Sequence, residues 1–177
     1  MNIQEKIIEI QRTRDKEAFV EYFFRNKDQV EALVIQVKNL HKYPMKEYAS
    51  WILIHLIKSK RFDLNYIYID FIDILIKTDN QTVLRNVICC INHLDHTACR
   101  ESELIDRCIE FISNFENKVA LQVYSIYLLI PFAQKYPELA AEIQEIIALH
   151  APGKTPAYRS AQKRFMRSIS PQMNCSQ

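Results

Sequence analysis

The sequence predicts an all-α fold of about nine or ten helices, and three observations favour it. The chain of 177 residues contains one glycine, Gly153, whereas an average chain of this length holds roughly a dozen. Because glycine supplies the positive φ of two-residue hairpin turns, β-hairpins are nearly excluded. Apolar residues recur at helical spacing, and one helix pattern repeats along the chain. We therefore expect one helical domain, residues 1–169, and a disordered tail, residues 170–177.

The composition also excludes several classes of function. One glycine cannot build the Gly-rich phosphate loops of nucleotide-binding proteins, and a formal net charge of +2 gives no general attraction to nucleic acid. The five cysteines do not resemble a secreted disulfide framework. The first residues lack a signal-peptide core, and polar residues interrupt every apolar stretch. We expect a cytoplasmic protein with no membrane partner, no cofactor and no metal.

Four helices are predicted in the first third of the chain. The first begins near Ile3, where isoleucines recur on one face, and the second spans Asp15–Phe24. The third, Asp28–Leu40, has apolar residues at spacings of 3, 1, 3 and 3, which form a helical stripe. The fourth spans Pro44–Lys58, because proline suits the first helical position, where its missing N–H is no loss.

The fifth helix is predicted from Asp63, a residue type that caps helix N-termini, to about Lys77. Its many β-branched residues leave a buried strand as the alternative. The length of the segment favours a helix, as does the spacing of 3 and 4 between Asp70, Asp73 and Lys77.

Five more helices complete the chain. Pro131 is expected to kink or shorten the eighth helix, and Thr155 followed by a proline predicts the start of the tenth. The loop that contains Gly153 is expected to make the sharpest turn in the molecule, with a structural role for the glycine. The predicted ranges are Asn80 or Asp79 to Leu94, Glu101–Ser113, Asn117–Lys135, Pro137–His150 and Thr155–Ile169.

Three of the predicted helices superpose on one another: Tyr48–Leu56, Asn86–Leu94 and Gln122–Ile130, with offsets of 38 and then 36 residues. Helix pairs that repeat at this period are typical of HEAT-like and armadillo-like solenoids, which are right-handed α-α superhelices. The fifth and seventh helices would be the outer members of these pairs. The superposed helices would be the inner members, which line the concave, ligand-binding surface of such arrays.

One face of the three superposed helices carries polar and aromatic residues at i, i+3 and i+7. We call this face the repeat stripe and expect it to bind a peptide or protein segment. In the alternative, a short array folds on itself and the repeat stripe is buried against neighbouring helices. Its candidate binding residues are Tyr48, Trp51, His55, Asn86, Cys89, His93 and Gln122.

The last helix is the strongest electrostatic feature, since residues 151–177 hold five basic residues and no acidic one. Its apolar face, which includes Tyr158 and Phe165, is expected to dock on the ninth helix. The basic face could contact nucleic-acid phosphates, helped by Lys58, Lys60 and Arg61. The alternative is a solvated capping face, which the lack of interleaved aromatic residues favours. This basic patch comprises Lys154, Arg159, Lys163, Arg164 and Arg167.

No pattern of catalytic or metal-ligating residues emerges. Cys89, His93 and His96 fall within about 60° of azimuth on a helix, but their spacing matches no established zinc pattern. Asp70 and Asp73 share a face of a predicted outer helix, where solvated carboxylates are expected. An enzyme is therefore not favoured, and an unrecognised or degenerate enzyme is kept only as a further alternative.

Two stretches carry a resemblance to a known group. They are Lys-Val-Ala-Leu-Gln-Val-Tyr-Ser at 118–125 and Tyr-Pro-Glu-Leu at 136–139 followed by Thr-Pro-Ala-Tyr-Arg-Ser-Ala-Gln-Lys-Arg-Phe at 155–165. Together they resemble short bacterial helical-repeat proteins of HEAT-like or armadillo-like fold, some of which are called adenylosuccinate lyases. Adenylosuccinate lyases use a Met-Pro-x-Lys-x-Asn run that this sequence lacks, so no catalytic residue is carried over. The helical DNA alkylation-repair glycosylases set a catalytic aspartate among tryptophans, whereas Trp51 is alone here.

Overall fold

The structure is a computed structural model that describes residues 2–39, 43–61 and 63–170. All regular structure in these ranges is helical, which confirms the predicted all-α class and excludes the strand alternative for the fifth segment. The described part holds ten α-helices and one short 3-10 helix, Asn65–Ile67. The α-helices are α1 Ile3–Thr13, α2 Lys16–Arg25, α3 Asp28–Lys38, α4 Met45–Ser59, α5 Tyr68–Lys77, α6 Gln81–Ile91, α7 Glu101–Ser113, α8 Val119–Lys135, α9 Pro137–His150 and α10 Pro156–Ile169.

The chain divides into two compact units, residues 1–101 and residues 102–177. The expectation of one domain over residues 1–169 stays a prediction. Leu40, the predicted end of the third helix, and the predicted tail at 171–177 lie outside the described residues.

Helix α4 is the centre of the first unit. Helices α1, α2, α3 and α6 all pack against it, and α5 packs against α6. Ile52, Leu53 and Leu56 are fully buried on α4, as the superposition predicts for its apolar stripe. The packing of α4 beside α6 agrees with the predicted equivalence of Tyr48–Leu56 and Asn86–Leu94.

Side-chain caps begin several helices where the sequence predicts them. Asn2 forms a capping box at α1, and Asp15 accepts a hydrogen bond from the backbone N–H of Ala18 at α2. Asn80, rather than Asp79, caps α6 by accepting from two backbone N–H groups. Such caps satisfy donors that have no partner inside the helix.

The fifth helix begins later than predicted. The Asp63 carboxylate accepts a hydrogen bond from the backbone N–H of Asn65 at 2.8 Å, and α5 itself begins at Tyr68. A local bond from side chain to backbone competes with helical geometry. The Asn65 side chain also exchanges two hydrogen bonds of 2.8 Å with Asp95, so residues beyond the local sequence hold this segment.

The sixth helix ends earlier than the predicted Leu94. The backbone N–H groups of His93 and Leu94 bond to carbonyls three residues before them. The Asn92 side chain donates to the Ile88 carbonyl at 2.9 Å. These bonds satisfy the last carbonyls of α6, so the chain turns after Ile91.

Helix α8 is the centre of the second unit. Pro131 lies inside it, yet the helix continues to the predicted end at Lys135. Of the two expected effects of this proline, shortening is wrong, whereas a kink stays a prediction. Apolar residues around Pro131, such as Leu129 and Phe132, are buried, and each contributes about 2 kcal/mol of burial. Together they outweigh the roughly 3 kcal/mol that an internal proline costs.

The apolar face of α10 packs mainly against α8, with a smaller contact to α9, so its predicted docking on the ninth helix needs correction. Tyr158, Ala161 and Phe165 are fully buried there. The reason is that α8 buries residues around most of its circumference and offers α10 an apolar face of its own.

Gly153 has a φ of 76°, as its place in the loop before α10 predicts. A Cβ there would meet nothing within 4 Å, so backbone conformation is what favours glycine. Positive φ is not confined to this loop, because Arg14 and Lys60 end α1 and α4 in the left-handed region without glycine. That Gly153 makes the sharpest turn stays a prediction.

Candidate functional site

The structure separates the repeat stripe into an accessible part and a buried part. Tyr48, Trp51 and His55 on α4 are half-buried and His93 is exposed. In contrast, Asn86, Cys89 and Gln122 are 1%, 3% and 0% exposed. A buried side chain cannot contact a partner, so the expectation that these three line an open groove is corrected.

Asn86 is buried because it joins two repeats. Its side-chain amide donates a hydrogen bond to the Ser50 hydroxyl at 2.9 Å, and that hydroxyl donates to the Glu47 carbonyl at 2.9 Å. The Asn86 oxygen accepts from the Arg85 guanidinium at 2.8 Å. A satisfied polar side chain inside a helix interface aligns α4 with α6 and stabilises the interface.

Gln122 plays a similar part in the second unit. Its amide donates to the Asn114 carbonyl at 2.8 Å, and its oxygen accepts from the Lys154 ammonium at 3.0 Å. The same ammonium lies 5.7 Å from the Phe115 ring centroid and 5.6 Å from that of Tyr158. Lys154 is therefore a structural residue, which corrects its place in the basic patch.

The accessible residues of α4 form an aromatic cluster, which we define as Phe19, Trp51 and His55. The Trp51 and His55 rings are 4.5 Å apart in a T-shaped contact, and buried Phe19 lies 5.7 Å from Trp51 and 6.0 Å from His55. The Arg14 guanidinium lies 5.4 Å from the Trp51 ring. The cluster is thus held between α2 and the end of α1.

Two clefts share Arg61, and the first of them reaches His55 of the aromatic cluster. The first, of about 680 Å³, lies between α2 and α4 and is bordered by His55, Lys58 and Arg61. The second, of about 610 Å³, contains His93 and also reaches Arg61. We call them the α2–α4 cleft and the His93 cleft. Both are of the size that ligand sites have, and both lie within the first unit.

The positive charge of these clefts comes from lysines and Arg61 rather than from histidines, and carboxylates also line both clefts. Burial lowers the pKa of His55, and Lys16 and Lys58 lower it further. Partial desolvation of the otherwise exposed His93 ring also lowers its pKa, with added effects of Lys58 and Lys60. Both imidazoles are therefore neutral at neutral pH. We define the lysine cluster as Lys16, Lys58 and Lys60, all of which are exposed.

On α10 the predicted basic face is accessible. Arg159, Lys163 and Arg167 are exposed, and the Arg164 guanidinium lies 4.8 Å from the Tyr127 ring. None of the first three forms an ion pair within the ranges that the structure describes. A solvated basic stripe therefore runs along the outside of the second unit.

The thiols and carboxylates singled out by the sequence have structural surroundings. Burial raises the pKa of Cys90 and of Cys108, which disfavours the reactive thiolate. Asp73 pairs with Lys38 and Arg100, and Asp70 pairs with Lys38. In the described part of the chain, no group of three His, Cys, Asp or Glu residues could hold a metal ion.

Sequence reasoning missed three residues that act on Trp51 or His55: Arg14, Lys16 and Phe19. They belong to the first two helices, more than thirty positions before Trp51. The α4 pattern alone gives no signal for them, because helix periodicity shows which face is polar and not which residues cover it.

Comparison with known proteins identifies the family to which this chain is similar. A family model described as a HEAT repeat domain matches residues 4–169. No curated protein matches the chain, and no solved structure matches it. Among the described helices, none has the length and apolar character that crossing a membrane requires. The matched range covers most of both units and agrees with their paired helices, and the chain belongs to the HEAT repeat domain family.

Proposed function

We propose that this protein is a non-enzymatic interaction module that binds a peptide or protein segment at the aromatic cluster. One observation carries the proposal: Trp51 and His55 are half-buried with their rings 4.5 Å apart, and His55 borders a cleft of about 680 Å³. Tryptophan is enriched among the residues that dominate binding energy at interfaces. Helical repeats of this kind typically serve as binding surfaces.

The packing of the cluster supports the same proposal. The Trp51 ring packs near both buried Phe19 and the Arg14 guanidinium, so little side-chain freedom is left to lose on binding. Tyr48 lies one turn before Trp51 on α4, and His93 lies in the adjoining cleft. These residues extend the accessible part of the repeat stripe on both sides of the cluster.

Selection from a random peptide display library on the purified protein tests the proposal. Peptides recovered on the wild type should bind the Trp51→Ala, His55→Ala double variant roughly 30-fold more weakly, the loss expected for an interface hot spot. The matched control replaces two exposed apolar residues elsewhere, Ile35→Ala and Leu149→Ala. Unchanged affinity of the double variant, with its melting temperature preserved, rejects this surface.

The exposed stripe of Arg159, Lys163 and Arg167 favours nucleic-acid binding as a second candidate function. Lys and Arg contacts to phosphates give an affinity that falls steeply with salt. A generic DNA duplex at about 50 mM salt is the probe, since phosphate contacts are strong under that condition. If the duplex does not bind there, or binds the triple alanine variant equally well, this candidate is excluded.

HEAT repeat domains are typically non-enzymatic, and among the residues that the structure describes, Cys90 and Cys108 are buried and Asp70 and Asp73 are paired with basic side chains. The lyase activity implied by the resemblance has a direct assay. We expect the purified protein to cleave no adenylosuccinate, and measurable turnover would overturn the non-enzymatic part of the proposal.

A further inference from the structure

Helices α8 and α10 of the second unit lie side by side, and neither contains an Asp or a Glu. At one end the Gln122 oxygen accepts from the Lys154 ammonium at 3.0 Å. At the other end the Gln134 amide donates to the Ser168 carbonyl at 3.0 Å. The two helices therefore run in the same direction, and their accessible side chains form one surface. We define the α8–α10 surface as Tyr127, Lys163, Arg164 and Arg167.

The carboxylates of the second unit lie outside this surface. At about 100° per residue, those of α9 lie at least about 100° around the helix from buried Ile143. Since α9 packs its buried face on α8 and α10, its glutamates are on the far side. Those of α7 lie at least about 140° from buried Cys108. The residues concerned, all exposed, are Glu103, Asp106, Glu110, Glu138, Glu142 and Glu145.

The remaining carboxylate of this unit, Glu116, comes before α8. Tyr127 lies about 12 Å along the axis from the first residue of that helix. Lys163, Arg164 and Arg167 are exposed, and within residues 102–170 they form no ion pair. The α8–α10 surface therefore carries excess positive charge.

Tyr127 adds to this surface an aromatic ring that the exposed face of α10 lacks. The Arg164 guanidinium lies 4.8 Å from the Tyr127 ring centroid, and Tyr127 is half-buried. On the circumference of α10, Arg167 lies between Lys163 and Arg164, at about 100° per residue. A planar cation is thus held against a ring, remains accessible to solvent, and has two further cations beside it.

We propose that the α8–α10 surface binds single-stranded nucleic acid. A base stacks on the Arg164 guanidinium and the Tyr127 ring, and Lys163 and Arg167 pair with the phosphates next to that base. This inference rests on the second candidate function above and adds the form of nucleic acid that is bound. Basic side chains that follow the phosphates, combined with an aromatic residue for the bases, are how proteins bind single strands without sequence preference.

A single strand uses this arrangement more fully than a duplex does. In a duplex the bases stack on one another, so Arg164 and Tyr127 could reach only phosphates, sugars and groove edges. In a single strand an unstacked base has a free face for an aromatic ring or a guanidinium plane. An acidic peptide could pair with the same cations, but its carboxylates would leave the contact between Arg164 and Tyr127 unused.

Fluorescence polarisation at about 50 mM salt compares three labelled probes, since phosphate contacts are strong under that condition. The probes are an oligothymidylate of about 15 nucleotides, a mixed-sequence DNA duplex of the same length, and a peptide with the same number of glutamates. We expect the oligothymidylate to bind about ten-fold more tightly than the duplex, because one stacked base contributes that much. Charge alone predicts the opposite order, because the duplex has the higher density of phosphates.

Two variants separate base stacking from phosphate contact. Tyr127→Leu removes the ring and should weaken binding of the oligothymidylate about ten-fold while leaving the duplex unchanged. Arg164→Lys keeps the charge but loses the guanidinium plane, so it should weaken the oligothymidylate about three-fold or more. The matched control is Tyr22→Leu, since Tyr22 is a half-buried tyrosine of the first unit with the Lys6 ammonium 4.4 Å from its ring. It should leave all three affinities unchanged, and the melting temperature is recorded for each variant.

The outcomes distinguish this inference from the candidate function on which it rests. If neither nucleic acid binds, both are wrong. If the single strand and the duplex bind equally tightly, or if Tyr127→Leu and Arg164→Lys weaken neither, the contact is through phosphates alone. Nucleic-acid binding then stands while the single-strand inference is wrong. If the glutamate peptide binds as tightly as the oligothymidylate, the surface recognises only negative charge, which also overturns the inference.

Discussion

At the scale of single residues, some polar side chains of the repeat stripe stabilise the fold rather than line an accessible surface. Asn86 and Gln122 lie at equivalent positions of the repeat, and both are buried with hydrogen bonds at each end of the amide. His93 lies on the same stripe and is exposed. The pattern i, i+3, i+7 therefore identifies a face without telling whether a neighbour covers it.

Replacing Asn86 tests its structural role. In Asn86→Ala, the Ser50 hydroxyl and the Arg85 guanidinium lose a buried partner, so the free energy of unfolding should fall by about 1–3 kcal/mol. Urea denaturation followed by circular dichroism measures the change. Gln29→Ala removes an exposed side chain whose hydrogen bond is to Asp28 and should stay within about 0.5 kcal/mol of the wild type. Equal stability of both variants would contradict the role assigned to Asn86.

The histidines make stability depend on pH. Burial is the first cause that lowers the pKa of His55, His93, His96 and His150 below the ordinary value of 6.5. Just below pH 6.5 the unfolded chain therefore binds more protons than the folded chain. The free energy of unfolding keeps its full histidine contribution above pH 6.5 and falls as the pH drops below 6.5. Urea midpoints on either side of pH 6.5 should show this fall.

The pH range separates histidines from carboxylates. The pKa values of Glu21 and Asp73 are also lowered, from 4.5 and 3.8, so their contribution is lost only in more acidic solution. Urea midpoints measured above pH 4.5 therefore report on the histidines rather than on these two carboxylates. His150→Gln should reduce the dependence on pH, and a dependence equal to that of the wild type would remove His150 from this account.

At the scale of helices, α10 depends on its apolar face rather than its basic face. Phe165 is fully buried where α10 packs on α8, so Phe165→Ala should lower the free energy of unfolding by about 3–5 kcal/mol. Lys163→Ala, two residues earlier on the exposed face, should change it by less than about 0.5 kcal/mol. Guanidinium denaturation compares the two. Similar losses would mean that the charged face also holds the helix in place.

Helix bounds were predictable where the start and stop signals are local. The observed α7 and α9 have the predicted bounds, and Asn80 and Thr155 cap α6 and α10 through their own side chains. The start of α5 was not predictable, because Asn65 is held by Asp95, thirty residues away. The docking of α10 on α8 was not predictable either, because an apolar stripe can pack against any apolar neighbour.

At the scale of the whole molecule, the fold class was predictable because it depends on properties of the entire chain. A single glycine nearly excludes β-hairpins, and a repeat offset of 36–38 residues indicates a helical solenoid. Neither signal depends on a particular contact between residues. Each compact unit has one helix of the repeat at its centre, α4 in the first and α8 in the second. The candidate site was only half predictable: α4 supplies Trp51 and His55, whereas α1 and α2 supply the residues that hold them.

The ring contact between Trp51 and His55 has a kinetic consequence for the proposed binding. A contact of this kind is short-ranged, so it governs how long a bound segment stays rather than how fast the segment arrives. Stopped-flow measurements should find that Trp51→Ala speeds dissociation and leaves the association rate nearly unchanged. Such a surface can change residence time without changing encounter rate, which suits a module whose partners must exchange.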